Sequence, residues 1–161
     1  MRNRLFKPKY LFLFILIIVV VLPSLTPLLK DKFFRMHDYT HVARLHQLDK
    51  AVKDGHIPPR WAKGLGWGYG MPLFNFYAPL PYYLGEVFHL LGFSFLNSVK
   101  LVFAFTFIIG FWGMFLLAKK FWGRLAGFLT AVAFVYSPYR AVDFYVRGAL
   151  GELFAISLIP F

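Results

Sequence analysis

His37-Asp38-Tyr39-Thr40-His41 gathers the side chains of this sequence best suited to moving a proton. A carboxylate there can take a proton from a hydroxyl group, so Asp38 is a candidate catalytic base. His37 and His41, four apart, could join it as ligands of a divalent metal ion. The pair lacks the glutamate of the His-Glu-x-x-His zinc signature, so the metal pattern is incomplete. The plainer role for Asp38 is to cap a following helix, a contribution of about 1 kcal/mol. Both roles fit together, because a helix start holds a carboxylate ionised. His46, His56 and His89 fall in the same region. In a second group, Arg140 and Arg147 could hold a phosphate by charge and paired hydrogen bonds, while Glu152, at the mouth of a span, is costly there unless paired or functional. An Arg147–Glu152 ion pair is the structural alternative.

The elements that must position these groups can be read from periodicity. Val42, Leu45, Leu48 and Val52 recur at helical spacing, which predicts an amphipathic helix from Asp38 to Val52, ended by Asp54-Gly55. A glycine- and ring-rich stretch follows, from Trp61 to Tyr83, where four glycines exclude regular structure and allow a ligand close to the backbone. Its rings suit a membrane–water interface as well as a binding wall. Leu80 to Phe95 is apolar but carries Glu86 and His89, and fits a helix lying in that interface rather than crossing it. Those two residues, three apart, are a further candidate pair.

Composition sets the class. Hydrophobic residues make up 59% of the 161-residue chain and aromatic ones 21%, with mean hydropathy +0.60, which argues against a soluble globule. Tyr10 to Leu29 carries no charge and is long enough to cross a hydrocarbon core of about 30 Å. Of the basic residues behind the net charge of +11, Arg2, Arg4, Lys7, Lys9, Lys119, Lys120 and Arg124 sit in short segments beside apolar ones, as the positive-inside rule produces. Eight more lie in the stretch 30–97, long enough to escape that rule, and no nucleic-acid module is present. Without cysteine there is no disulfide or thiolate metal site.

These signals predict an all-α integral membrane protein with a cytoplasmic N-terminus at 1–9 and a first span at 10–29. An outer loop covers 30–97, and spans at 98–118 and 125–139 flank a basic cytoplasmic loop at 119–124. A second outer loop covers 140–151, and a fourth span starts at 152–161. Phe161 falls inside an apolar run, so the chain is expected to be the N-terminal piece of a larger polytopic protein.

The run Asp54-Gly55-His56-Ile57-Pro58-Pro59-Arg60-Trp61, the segment Gly70 to Leu80 containing Tyr77, and Arg147-Gly148-Ala149-Leu150-Gly151-Glu152 complete a pattern that begins with a span and Asp38. In this the chain resembles the polytopic GT-C glycosyltransferases, especially bacterial enzymes of the protein-mannosyltransferase and aminoarabinose-transferase type. It is more similar still to large bacterial membrane proteins labelled as a 6-pyruvoyl-tetrahydropterin synthase related domain. The resemblance implies a GT-C-like helix bundle in a bacterial plasma membrane, with a large first outer loop carrying interfacial helices. It implies transfer of a sugar from a polyprenyl-phosphate donor to an acceptor on the outer face. Asp38 would then be the base, and Arg147, with Glu152, would meet the lipid-linked phosphate. His37, His41, Arg60, Tyr77 and Arg140 would line the same site. Many relatives carry paired acids where this chain has His37-Asp38, which leaves a divalent metal open. A non-catalytic membrane protein of the same fold and a lipid-linked sugar transporter or flippase are the alternatives.

Overall fold

A computed structural model describes residues 8–32 and 35–161. The basic residues Arg2, Arg4 and Lys7 of the expected cytoplasmic N-terminus lie outside the described residues. The fold is all-α: among the described residues there is no strand, only an isolated bridge between Ala62 and Met71.

Helix α1 (Pro8–Leu25) runs into a 3-10 turn at Thr26–Leu29, with Pro23 inside its last turns. There Ser24 donates to the Val21 carbonyl at 2.7 Å and Thr26 to the Pro23 carbonyl at 3.0 Å, each side chain bonding back to the preceding turn. Helix α2 (His41–Lys53) and the single turn α3 (Leu73–Phe76) follow, then helix α4 (Leu80–Leu90). At 11 residues α4 is about 16 Å long, too short to cross a bilayer core alone. Gly92 (φ 100) turns the chain, and Ser94 caps the next helix through its side chain, accepting from the Asn97 N–H at 3.2 Å.

The helical segment α5 (Phe95–Val135) is broken at Gly123, whose φ of 85 and ψ of 178 only glycine adopts readily. Its two halves run antiparallel: Phe111 packs on Phe128 at 6.1 Å, and Gly110 faces Phe134. Lys119, Lys120, Phe121, Trp122 and Arg124 are exposed around the turn. The stretch Phe95–Arg147 contains an 18-residue window of mean hydropathy 2.3 and is by length and composition able to cross a membrane.

Helix α6 (Pro138–Val142) continues as a π-helical turn at Asp143–Arg147, and helix α7 (Leu150–Leu158) closes the described chain. The 140–151 segment, the expected second outer loop, is thus mostly helical. Helix α7 runs parallel to the first half of α5, pairing Phe105 with Phe154, Gly110 with Ser157 and Gly113 with Phe161. Helix α1 lies beside the returning half and the π-turn, where Tyr136 donates to the Val20 carbonyl (2.6 Å) and Tyr145 to the Ser24 carbonyl (2.5 Å). Phe103, Phe107, Phe111, Phe144, Leu150 and Leu153 form the buried centre. The helices α2 and α4 pack on the N-terminal part of α5, opposite the Gly123 turn, and there the polar residues converge.

Candidate functional site

Two chain segments meet through their backbones. The N–H of His37 donates to the Val146 carbonyl and that of Asp38 to the Arg147 carbonyl, both at 2.8 Å. This pairing fixes the start of the first long connection against the π-turn and carries Asp38 with it.

The Asp38 carboxylate does not cap a helix. The residue at the head of α2 is Thr40, which makes no side-chain capping bond. Asp38 Oδ2 instead accepts from Arg44 Nη1 at 2.8 Å and from the Tyr77 hydroxyl, while Oδ1 accepts from Thr40 Oγ1 at 3.2 Å. The Arg44 guanidinium also lies over the Tyr77 ring, 4.0 Å from its centroid. Burial pushes the Asp38 carboxyl up, but the bonds from Arg44 and Tyr77 outweigh it and hold the group below the ordinary carboxylate value. Asp38 is therefore ionised at neutral pH.

His41 is almost fully buried beneath this pair. Its Nε2 lies 2.6 Å from the Gly148 carbonyl and must carry the proton; its Nδ1, 2.8 Å from the Tyr82 hydroxyl, then accepts. Tyr82 in turn accepts from Arg44 Nη1 at 3.3 Å. Burial keeps the imidazole neutral, lowering its pKa, although the Gly148 carbonyl and Asp38 oppose this. The result is one polar chain from Asp38 through Arg44, Tyr82 and His41 to the backbone of the π-turn.

This arrangement does not fit the metal reading. Both His41 nitrogens are engaged by protein groups, His37 is exposed, and a guanidinium occupies the place beside Asp38 where a cation would sit. Among the described residues no group of three or more His, Asp or Glu could hold a metal ion.

Arg147 is half-exposed and stands next to this cluster. Its Nη1 donates to Asp143 Oδ1 at 2.7 Å and to the Tyr139 hydroxyl at 3.3 Å, and its Nη2 pairs with Glu152 Oε2 at 2.8 Å. Tyr139 closes the ring by donating to Glu152 Oε1. The Arg147–Glu152 pair given above as the structural alternative is thus formed. A cleft of about 290 Å³ lies over it, lined by Arg147, Glu152, Ala149 and Gly151 on one side and Phe76, Tyr77 and Ala78 on the other. Tyr77 links the two regions, with its ring at the cleft and its hydroxyl on Asp38.

Other expected site residues lie elsewhere. Arg140 is a correction: its side chain is buried in the bundle, donating to Ser157 Oγ (3.1 Å) and the Thr106 carbonyl (3.2 Å) between the rings of Phe107 and Phe134. The surrounding rings and acceptors draw the guanidinium inward, away from the cleft. Arg60 is exposed and shares no contact with Asp38 among the described residues. Glu86 and His89 diverge. Glu86 is buried, where burial and the Asp49 carboxylate push its pKa up. His89 stacks on Phe95 with centroids 3.8 Å apart and bonds the Phe93 carbonyl at 2.9 Å.

Arg44, Thr40, Tyr82, Asp143 and Tyr139 are the site residues that the sequence did not single out. His41 offered a signal for part of this, since it precedes Leu45 and Leu48 by four and seven positions and so shares their buried face.

No family model matches the chain. It is similar to an uncharacterized protein of Lactococcus lactis subsp. cremoris (strain MG1363), at 29% identity over 145 residues. The match covers 85% of this chain and 24% of that relative, so the chain spans about a quarter of the relative's length. No solved structure matches.

Proposed function

We propose that this chain forms the acceptor-activating part of an integral membrane glycosyltransferase that takes sugar from a polyprenyl-phosphate donor on the outer face of a bacterial plasma membrane. The observation that carries the proposal is the convergence of an ionised acid, Asp38, and an accessible cation, Arg147, on backbones bonded at 2.8 Å. Sugar transfer from a lipid phosphate requires both groups.

The acceptor hydroxyl gives its proton to Asp38 as its oxygen bonds to the anomeric carbon. The bond from that carbon to the phosphate oxygen breaks, and the polyprenyl phosphate leaves with the electron pair. Arg147 offsets the charge that develops on the phosphate. In the resting state the Glu152 carboxylate holds the guanidinium where a phosphate oxygen would bind. The hydroxyl of Tyr77 occupies the side of Asp38 nearest the cleft and would yield to an acceptor hydroxyl. Arg44 positions the carboxylate and keeps it ionised.

The three donors already on Asp38 favour a second reading, in which it only ties the segments together in a non-catalytic protein. Membranes carrying native protein or Asp38→Asn at matched abundance separate the two. Under the transferase reading, native membranes consume labelled polyprenyl-phosphate sugar and release polyprenyl phosphate, while the variant loses about 10²-fold or more. Equal consumption across a panel of donors would leave Asp38 a purely structural residue.

A further inference from the structure

A separate groove lies between α1 and the start of α5. Its volume is about 340 Å³, and its walls are Leu22, Leu25, Leu28, Leu101 and Ala104, with Phe93 and Leu29 at the rim. The polar lining residues, Asn97 and Lys100, stand toward the N-terminal end of α5. Leu22 and Ala104 lie toward the Gly123 turn. Polarity therefore changes along the groove as it does along an amphiphile, from headgroup to hydrocarbon.

Lys100 adds a stronger indication. The residue is only 8% exposed, yet it forms no ion pair with any described residue. One N–H of the ammonium goes to the Lys30 carbonyl, which leaves two further donors. A buried cation without a counter-charge is costly, and a phosphate supplies both the charge and the acceptors. Lys30 and Lys32 are exposed close by in the chain segment that bonds Lys100, with Asp31 between them offsetting one charge, so the surrounding field stays positive.

We propose that this groove holds one chain of an anionic phospholipid, with its phosphate on the Lys100 ammonium. This rests on the membrane part of the reading above and not on sugar transfer. The lipid would brace α1 against α5, so its role is structural and distinct from that of the Asp38 cleft.

The test is native mass spectrometry of the protein purified in mild detergent from its own membranes, with the retained lipid identified by fragmentation. Native protein should keep one anionic phospholipid. Lys100→Gln should lower that retention about tenfold, the equivalent of one lost charge contact. Ala104→Trp, which fills the apolar end and leaves the charge intact, should lower it as well. Lys120→Gln, at the exposed hairpin turn, should not. Equal retention of zwitterionic lipid, retention unchanged in both groove variants, or a polyprenyl phosphate in place of phospholipid would overturn the proposal. Extraction of the same membranes at alkaline pH keeps the failures apart. Release of the protein sinks the membrane reading itself, whereas a membrane-held protein without lipid sinks only this inference.

Discussion

The backbone N–H of Asp38 donates to the carbonyl oxygen of Arg147 at 2.8 Å, so one hydrogen bond joins the acid and the cation of the candidate site. Neither side chain touches the other. Each is held by its own partners, Arg44 and Tyr77 for the acid, Asp143 and Glu152 for the cation. The two groups can therefore be perturbed separately.

Arg44→Gln tests the acid. Arg44 and Tyr77 hold the Asp38 carboxyl below its ordinary value against the upward push of burial. Without the guanidinium the burial effect gains weight, and Asp38 protonates at higher pH. The acidic limb of the pH–rate profile for donor consumption should move up, and the rate at neutral pH should fall about tenfold as the carboxylate loses its support. An unmoved acidic limb would mean that Asp38 is not the titrating group.

Arg147→Ala tests the cation. Its side chain is 46% exposed, so the pair with half-exposed Glu152 is screened and adds little to stability, while the bond to the fully buried Asp143 helps to hold the π-turn. Loss of phosphate contact should instead raise the donor concentration needed for half-maximal rate, on the order of tenfold. Arg147→Lys should recover only part of this, because an ammonium cannot span two acceptors as a guanidinium does. A large drop in melting temperature with unchanged donor dependence would assign Arg147 to folding.

The sequence made the elements legible and the contacts between them much less so. Helical spacing located α2, and the basic segment 119–124 between two apolar stretches located the α5 hairpin turn, which the structure puts at Gly123. The resemblance implied that Asp38 and Arg147 share a site, but the backbone pairing that joins them was not legible, because it depends on how α1, α5 and the π-turn pack. Arg140 was misplaced for the same reason. Its partners Phe107, Phe134, Thr106 and Ser157 come from other segments, and nothing in the local sequence shows them. His41 drew notice as a possible ligand, while its position on the Leu45–Leu48 face pointed to a buried neutral ring.

That burial gives His41 a pH signature. Its folded pKa lies below the unfolded value of 6.5. Between those two values the unfolded chain binds a proton that the folded protein does not, so stability rises with pH there. The contribution is complete above about 6.5 and is lost as pH falls toward the folded pKa. His41→Gln should flatten this part of the profile and, by disturbing the bonds to Tyr82 and Gly148, cost about 1–3 kcal/mol. Thermal melting in detergent from pH 5 to 8 measures both effects. A native profile flat across that range would contradict the neutral, buried imidazole.

Gly148→Ala strikes the same junction from the other side. Gly148 has φ 65, and its carbonyl accepts the His41 Nε2 bond. A Cβ there would run into the Met36 side chain, which is itself buried just ahead of His37 and Asp38. Two costs follow: about 1–2 kcal/mol for an L-residue in the left-handed region and about 1–3 kcal/mol for the crowding. Only the second depends on Met36. Met36→Ala in the same chain should therefore return the crowding term and leave the backbone term, so the two substitutions should be non-additive by about 1 kcal/mol or more. Donor consumption should fall with Gly148→Ala beyond what lost stability explains, because the Val146 and Arg147 carbonyls that hold His37 and Asp38 must shift. Additive melting shifts would show that Met36 moves aside freely, and the junction would then not be the rigid clamp that places Asp38.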